Sequence, residues 1–330
     1  MKNKILILGL IAGEALNTNA LAQTTPSYTN CYGHPSCQCA ISYYHSSCTY
    51  YTMDNETKTL TIYGPREKDE NGNYIASASI KNYAFSTADV KSSKVIIPEG
   101  TNVVITGNIT SVDSYAFAGA SGIKSVRFEE TSSLRSIGDA AFHNTSNMES
   151  INIPNTVTSI GVSSFYGSGL TEVIIPASVE SIAYEGFDMA RNLKAALVEG
   201  QTGLGGYAFY RNASGFKLYC SDQNTTCGQS AIYFTKEDGL YKTIADGKYF
   251  ASSELMMADN NGNKACKNKD ECIKILEAVQ AKKSFLKDGK FYASLSDWAN
   301  GNYEKKRIYT VQEAVQVSAP TGNRVSIRYK

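Results

Sequence analysis

The chain has 330 residues, with 32 Lys and Arg against 31 Asp and Glu, for a formal net charge of +1. That balance supplies no long-range pull toward nucleic acid or an anionic membrane surface, so neither is expected as a partner. With 42% hydrophobic and 19% charged residues it can bury a core, which excludes bulk disorder, while three His leave little material for histidine-based chemistry.

The first residues read as an export signal. Lys2 and Lys4 precede the apolar run Ile5–Ala12, and Ala20-Leu21-Ala22 offers a small-residue cleavage site before Gln23. The run falls well short of the roughly 20 residues that a membrane span needs. Residues 1–22 are therefore expected to be a signal peptide, and the mature protein to be secreted or held at the cell surface without a membrane span.

Export changes the reading of the eight cysteines, because an oxidising compartment favours disulfides. Cys220 with Cys227 and Cys266 with Cys272 are close enough in sequence to pair locally. Cys31, Cys37, Cys39 and Cys48 have three possible connectivities, of which the one bridging Cys37 to Cys39 is the tightest. His34 and His45 lie among them, so a zinc knot is the alternative to disulfides there.

From residue 80 the chain repeats itself. A small residue followed by Phe recurs at Phe85, Phe117, Phe142, Phe165, Phe187 and Phe209, at spacings of 32, 25, 23, 22 and 22. Five residues before each Phe stands an aliphatic residue: Ile80, Val112, Ile137, Ile160, Ile182 and Leu204. Between these marks lies an apolar pattern at i, i+3 and i+5, as in Ile123-Val126-Phe128 and Leu170-Val173-Ile175. Its last two positions alternate like a short strand with one buried face, and Pro154 and Pro176 end two of the strands. A unit of about 23 residues cannot bury its own apolar side, so the units must stack. The Phe side chains should then form one internal column.

Ser159-Ile160-Gly161, Ser164-Phe165 and Leu170-Thr171-Glu172-Val173-Ile174-Ile175-Pro176 together resemble the BspA-type leucine-rich repeat. The resemblance covers roughly Ile80 to Cys220. It implies a mainly β repeat solenoid and a surface or secreted protein that adheres to host or neighbouring-cell proteins, with no cofactor. Several copies depart from the pattern. The first spacing of 32 suggests an insertion around Thr101–Thr110, Glu129-Glu130 stands where Pro is expected, and Gly203-Leu204-Gly205 replaces Ser-Ile-Gly. Residues 23–79 are expected to cap the solenoid, opening with the Cys-rich stretch and ending in a strand over Thr59–Gly64. Residues 80–227 would be the solenoid, closed by a last strand over Phe216–Cys220.

Beyond Gly228 the repeat marks vanish. From Gln23 to Cys227 there are 13 basic and 18 acidic residues, and from Gly228 to Lys330 there are 17 and 12, so the charge balance reverses from −5 to +5. Residues 228–330 are expected to form a small α+β module. Asp246-Gly247-Lys248-Tyr249-Phe250 and Asp288-Gly289-Lys290-Phe291-Tyr292 each read as a turn feeding an aromatic strand. Asn268-Lys269-Asp270-Glu271 is a capping box for a helix to about Ala281, with Ile273, Leu276 and Val279 on its buried side. A second box at Thr310–Glu313 would open a short helix, and Lys305-Lys306-Arg307 reads as a solvated loop.

No Walker loop, dinucleotide fingerprint, H-E-x-x-H or G-x-S-x-G motif is present, and the Asp69–Asn73 and Asp259–Asn263 stretches lack the closing Glu of a calcium loop. No catalytic residue and no metal site are expected. The expected binding face is the outward side of the repeat strands: Lys124, Ser125, Arg127, Glu149, Ser150, Asn152, Thr171, Glu172, Ile174, Lys194 and Leu197. Ile174 and Leu197 are apolar there, consistent with a contact patch or with cover by a neighbouring segment. A protein ligand on this face is the leading reading. A structural spacer that displays the basic C-terminal module is the alternative, and an envelope enzyme the third.

Overall fold

In a computed structural model of the chain, residues 37–38 and 49–300 are described, except 67, 75, 88–95, 130–132, 260–263, 282–284, 288–289 and 293. The expected signal peptide, the pairing of the four N-terminal cysteines, Lys305–Arg307 and the second capping box at Thr310–Glu313 lie outside the described residues. Two compact units divide between Ile232 and Tyr233.

The first unit opens with three antiparallel strands, β1 (Cys37–Gln38), β2 (Thr49–Asp54) and β3 (Thr59–Tyr63). Coils of the solenoid follow. Each begins near a Phe-bearing turn, runs through a longer strand and then a short one, and reaches the next turn. In chain order the strands are β4 (Ala78–Ile80), β5 (Thr101–Thr106), β6 (Ile109–Val112), β7 (Ile123–Phe128), β8 (Ser136–Ile137), β9 (Ser150–Ile151), β10 (Ser159–Ile160), β11 (Glu172–Ile175), β12 (Ser181–Ile182), β13 (Ala195–Val198), β14 (Gly203–Leu204) and β15 (Lys217–Ser221).

The longer strands pair parallel in two groups, β3-β5-β7-β9 and β11-β13-β15, and the short ones form a second parallel sheet, β4-β6-β8-β10-β12-β14. In the second sheet Ser111, Ser136, Ser159 and Ser181 are in register, and the aliphatic residue after each serine points inward and is buried. The repeat solenoid read from the sequence is thus the fold. The suggested insertion at Thr101–Thr110 is corrected: β5 pairs residue for residue with β3 and, past a register shift at Thr101/Asn102 that leaves the extra residue on β7, with β7, so the surplus of the first interval lies between Phe85 and Thr101. A Thr/Val-rich strand does not look like the Leu-and-Ile pattern of its neighbours, although it packs as one.

The Phe column is continuous. Successive rings from Phe85 through Phe209 lie parallel at 5.1, 5.1, 5.3, 4.7 and 5.1 Å, with Tyr51 of β2 meeting Phe85 edge-on at 5.4 Å and Phe216 closing the far end. Aromatic rings offset at such distances attract one another beyond their burial. Each turn is fastened to the next coil by its backbone, the N–H of Phe117 donating to the Ala141 carbonyl and that of Phe142 to Ser164, both at 2.8 Å. The reversal has a cost. The residue two before each Phe (Tyr83, Tyr115, Ala140, Ser163, Glu185, Tyr207) is left-handed, with φ between 50° and 60°. An L-residue there costs roughly 1–2 kcal/mol, which the bonds between coils offset. Gly122 marks the closest approach: a Cβ on it would lie 2.0 Å from the Ile97 carbonyl oxygen, and one on Gly169 would lie 2.1 Å from that of Ser146.

The second unit carries the antiparallel strands β16 (Ile232–Glu237), β17 (Leu240–Thr243) and β18 (Tyr249–Phe250). After them come α1 (Ser253–Met257), α2 (Lys269–Gln280), the hairpin β19 (Phe285–Lys287) and β20 (Lys290–Tyr292), and α3 (Leu295–Ala299). Asn268 caps α2 as the sequence predicts, its side chain accepting from the Glu271 N–H at 2.9 Å. The expected buried side is corrected. Cys272 and Ile275 are buried while Ile273, Leu276 and Val279 are half-buried, because the Cys266–Cys272 disulfide ties the first turn down on a different face.

Candidate binding face

Parallel stacking places equivalent residues of successive coils one above another, so the outward side of the longer strands is a set of rows. Lys124, Glu149, Thr171 and Lys194 form the first row. Their backbones are joined by bonds from the Glu149 N–H to the Lys124 carbonyl, Thr171 to Glu149 and Lys194 to Thr171, at 2.8, 3.2 and 2.9 Å. All four are exposed. Ser125 and Ser150 are partners across β7 and β9, and Glu172 is in register with Ala195 across β11 and β13. Arg127 and Asn152 are exposed farther along, and Ile174 is in register with Leu197.

Ten of the eleven expected face residues are exposed or half-buried. Leu197 is not: it is 0% exposed, and all four residues of β13 are buried. The expectation of an exposed Leu197 is corrected, because strand alternation identifies the outward side and carries no information on what lies over it. Its neighbour across the register, Tyr219 of β15, is buried too. The open part of the face is therefore the part built on β7 and β9.

A cleft of about 880 Å³ opens there, lined by Ser125, Arg127, Phe128, Glu129, Ser150 and Asn152 among others. The side chain of Asn152 explains its shape. Strand β9 is only two residues long, and where it stops the Asn152 amide takes over the pairing. Its Oδ1 accepts from the Phe128 N–H at 2.9 Å and its Nδ2 donates to the Phe128 carbonyl at 3.3 Å. Both backbone groups of Phe128 gain a partner without a neighbouring strand, and the space the strand would have filled is open. Ser125 is fixed by donating to Asn102 Oδ1 at 2.7 Å. Arg127 and Glu129 bring one charge of each sign to the rim. Glu129 was not among the expected face residues; its signal was its place directly after Phe128, where other copies carry Pro.

The chemistry of the face is that of recognition: hydroxyls, an amide, a guanidinium and carboxylates. Among the described residues no group of three or more His, Cys, Asp or Glu could hold a metal ion. His143, on a Phe-bearing turn, is half-buried and stacks on Tyr166 at 5.0 Å; burial lowers its imidazole pKa, partly countered by Glu185. No helix among the described residues is long and apolar enough to cross a membrane.

Residues 78–214, and overlapping them 135–237, match the family model described as a BspA type leucine-rich repeat region, in six copies. Similar solved structures include the pneumococcal vaccine antigen PcpA, at 18% identity over 60% of this chain and 52% of that one, with a TM-score of 0.39. A leucine-rich cell surface protein from Faecalibacterium prausnitzii A2-165 matches at 17% identity over 66% of this chain and 60% of its own, with a TM-score of 0.32. A leucine-rich repeat protein from Bacteroides ovatus matches at 16% over 56% and 62%, with a TM-score of 0.23. No curated protein matches the sequence.

Proposed function

We propose that this chain, a member of the BspA-type leucine-rich repeat family through residues 78–237, is a secreted adhesion module that docks a protein partner on its repeat-strand face without catalysing a reaction. Proteins of this repeat family are cell-surface or secreted and bind other proteins. The observation that carries the finer reading is the cleft beside Arg127 and Asn152, where the sheet is interrupted and polar side chains are held in place. A rigid patch of mixed charge with a concave centre suits a protein surface of complementary charge. The disulfides Cys220–Cys227 and Cys266–Cys272 support export, since such bonds persist in oxidising compartments.

Reversing the charges together, with Arg127→Glu, Glu149→Lys and Glu172→Lys in the full chain, is expected to weaken binding to immobilised host extracellular-matrix protein by about tenfold or more, as read by surface plasmon resonance. These side chains are exposed or half-buried, so melting should shift little. Unchanged binding would remove the strand face from the reading and leave the solenoid as a spacer for the second unit.

A further inference from the structure

On the turns that carry the phenylalanines, away from the strand cleft, tyrosines gather at the C-terminal coils. Tyr184, Tyr207 and Tyr210 are 48%, 56% and 53% exposed. The rings of Tyr184 and Tyr207 meet edge to face at 5.7 Å and 87°, and those of Tyr207 and Tyr210 lie 5.2 Å apart, tilted by 50°. Arg211 spreads over the Tyr210 ring at 5.4 Å and grips the buried Asp188 through both Nε and Nη2. Glu185 stands in the row that carries Tyr207 on the next coil, and accepts from the Ser163 hydroxyl at 3.4 Å.

The patch is pre-organised. The Glu185 N–H donates to the Gly206 carbonyl, Phe187 to Ala208 and Met189 to Tyr210, so the turns bearing the three rings are bonded to one another at 2.8 to 3.1 Å. Rings fixed in this way lose little freedom on binding. Three touching aromatic rings left this exposed on a folded surface mark an interaction site rather than packing.

We propose that this tyrosine patch binds a neutral, extended glycan chain of equatorially linked hexopyranoses, with sugar faces packed on the rings of Tyr207 and Tyr210 and Tyr184, set edge to face, bounding the site. A hexopyranose has a flat face of C–H groups and a rim of hydroxyls; a tyrosine offers a matching apolar face with a polar tip. Glu185 accepts from sugar hydroxyls, and the guanidinium edge of Arg211 donates to them. The charges favour a neutral ligand: Asp188 and Arg211 compensate each other, and Glu185 remains as a single carboxylate at the centre. The patch therefore has no field to gather a polyanion or a strongly basic segment. Spacing favours a chain. The coils rise by the 4.7 to 5.3 Å of the Phe column, close to the length of one hexopyranose in an extended polymer, so Tyr184 on one coil and Tyr207 with Tyr210 on the next span two consecutive sugars. A protein anchor would instead seek a pocket to be buried in, and these rings stand outward.

Isothermal titration of the full-length protein with cellohexaose and with chitohexaose tests this directly. At least one hexasaccharide should bind with a millimolar or tighter dissociation constant. Tyr207→Asn should weaken it by about tenfold, since asparagine tolerates the left-handed backbone and removes only the ring. Tyr184→Ser with Tyr210→Ser should weaken it likewise, while Arg127→Glu on the strand face leaves it unchanged. Unaltered melting would show that the variants fold. Failure of both sugars to bind, or equal binding by Tyr207→Asn, overturns the proposal. So does loss in Tyr207→Asn of the protein binding that Arg127→Glu retains, which would make the patch a protein site; the strand-face reading stands or falls on its own variants.

Discussion

Asp188 follows Phe187 at a turn position where neighbouring coils carry His143, Tyr166 and Tyr210, and its side chain is wholly buried. A buried carboxylate without a cation is costly, and Arg211 from the next coil supplies one through two hydrogen bonds, its own side chain 46% exposed. Water reaches the arginine, so the attraction is discounted, and what remains is the cost of leaving Asp188 unpaired. Arg211→Gln is expected to destabilise the protein by about 1–3 kcal/mol in denaturant unfolding. Asp188→Asn combined with Arg211→Gln should recover much of that loss, because the double variant buries no charge. Strictly additive single and double variants would show that the pair is not coupled. Residues of this kind were illegible in the sequence. Asp188 and Arg211 are 23 positions apart, unremarkable until the coil period brings them together. The tyrosine patch escaped for the same reason, its members occupying three different turn positions on two coils.

At the level of the element, legibility followed chemistry that repeats. A column of stacked rings demands the same residue type at each coil, and the short sheet demands a serine outside and an aliphatic residue inside, so both were readable from spacing alone. Elements that meet the same packing demand with other residues were not. Strand β5 keeps the register with Thr, Val and Ile, and α2 turns a different face inward because a disulfide holds its first turn. The candidate face was legible as rows of residues, but its cleft was not: a two-residue β9 completed by an asparagine side chain leaves no periodic trace. Phe165→Ala tests the column at its centre. Phe165 is fully buried between Phe142 at 5.3 Å and Phe187 at 4.7 Å, so truncation should cost about 3–5 kcal/mol. Hydrogen exchange should speed up in the coils on both sides of the cavity. Parent-like melting would mean that the rings are not the core of the coil.

Across the whole repeat block, a stack of coils is held by nearest-neighbour interfaces, so its stability is weakest where a neighbour is missing. At the entrance the antiparallel strands β2 and β3 close the stack, with Tyr51 lying against the first Phe. At the other end of the solenoid the last longer strand, β15, contains Cys220, bonded to Cys227 just beyond it. That link encloses a loop of only seven residues' separation, and cross-linking so short a loop restricts the unfolded chain by an amount worth roughly 2–3 kcal/mol. Both cysteines are buried, and Asn224 inside the loop donates from Nδ2 to the carbonyls of Gly200 and Thr202, at 2.9 and 3.0 Å, so the loop is stitched to the preceding coil. Replacing both cysteines by serine should therefore loosen the last coil first. Amide exchange is expected to accelerate in β13 and β15 while β5 and β7 keep their protection, with a global loss of about 2–3 kcal/mol. A uniform rise in exchange from β5 to β15 would show that the solenoid unfolds as one block, and that the disulfide closes no particular end.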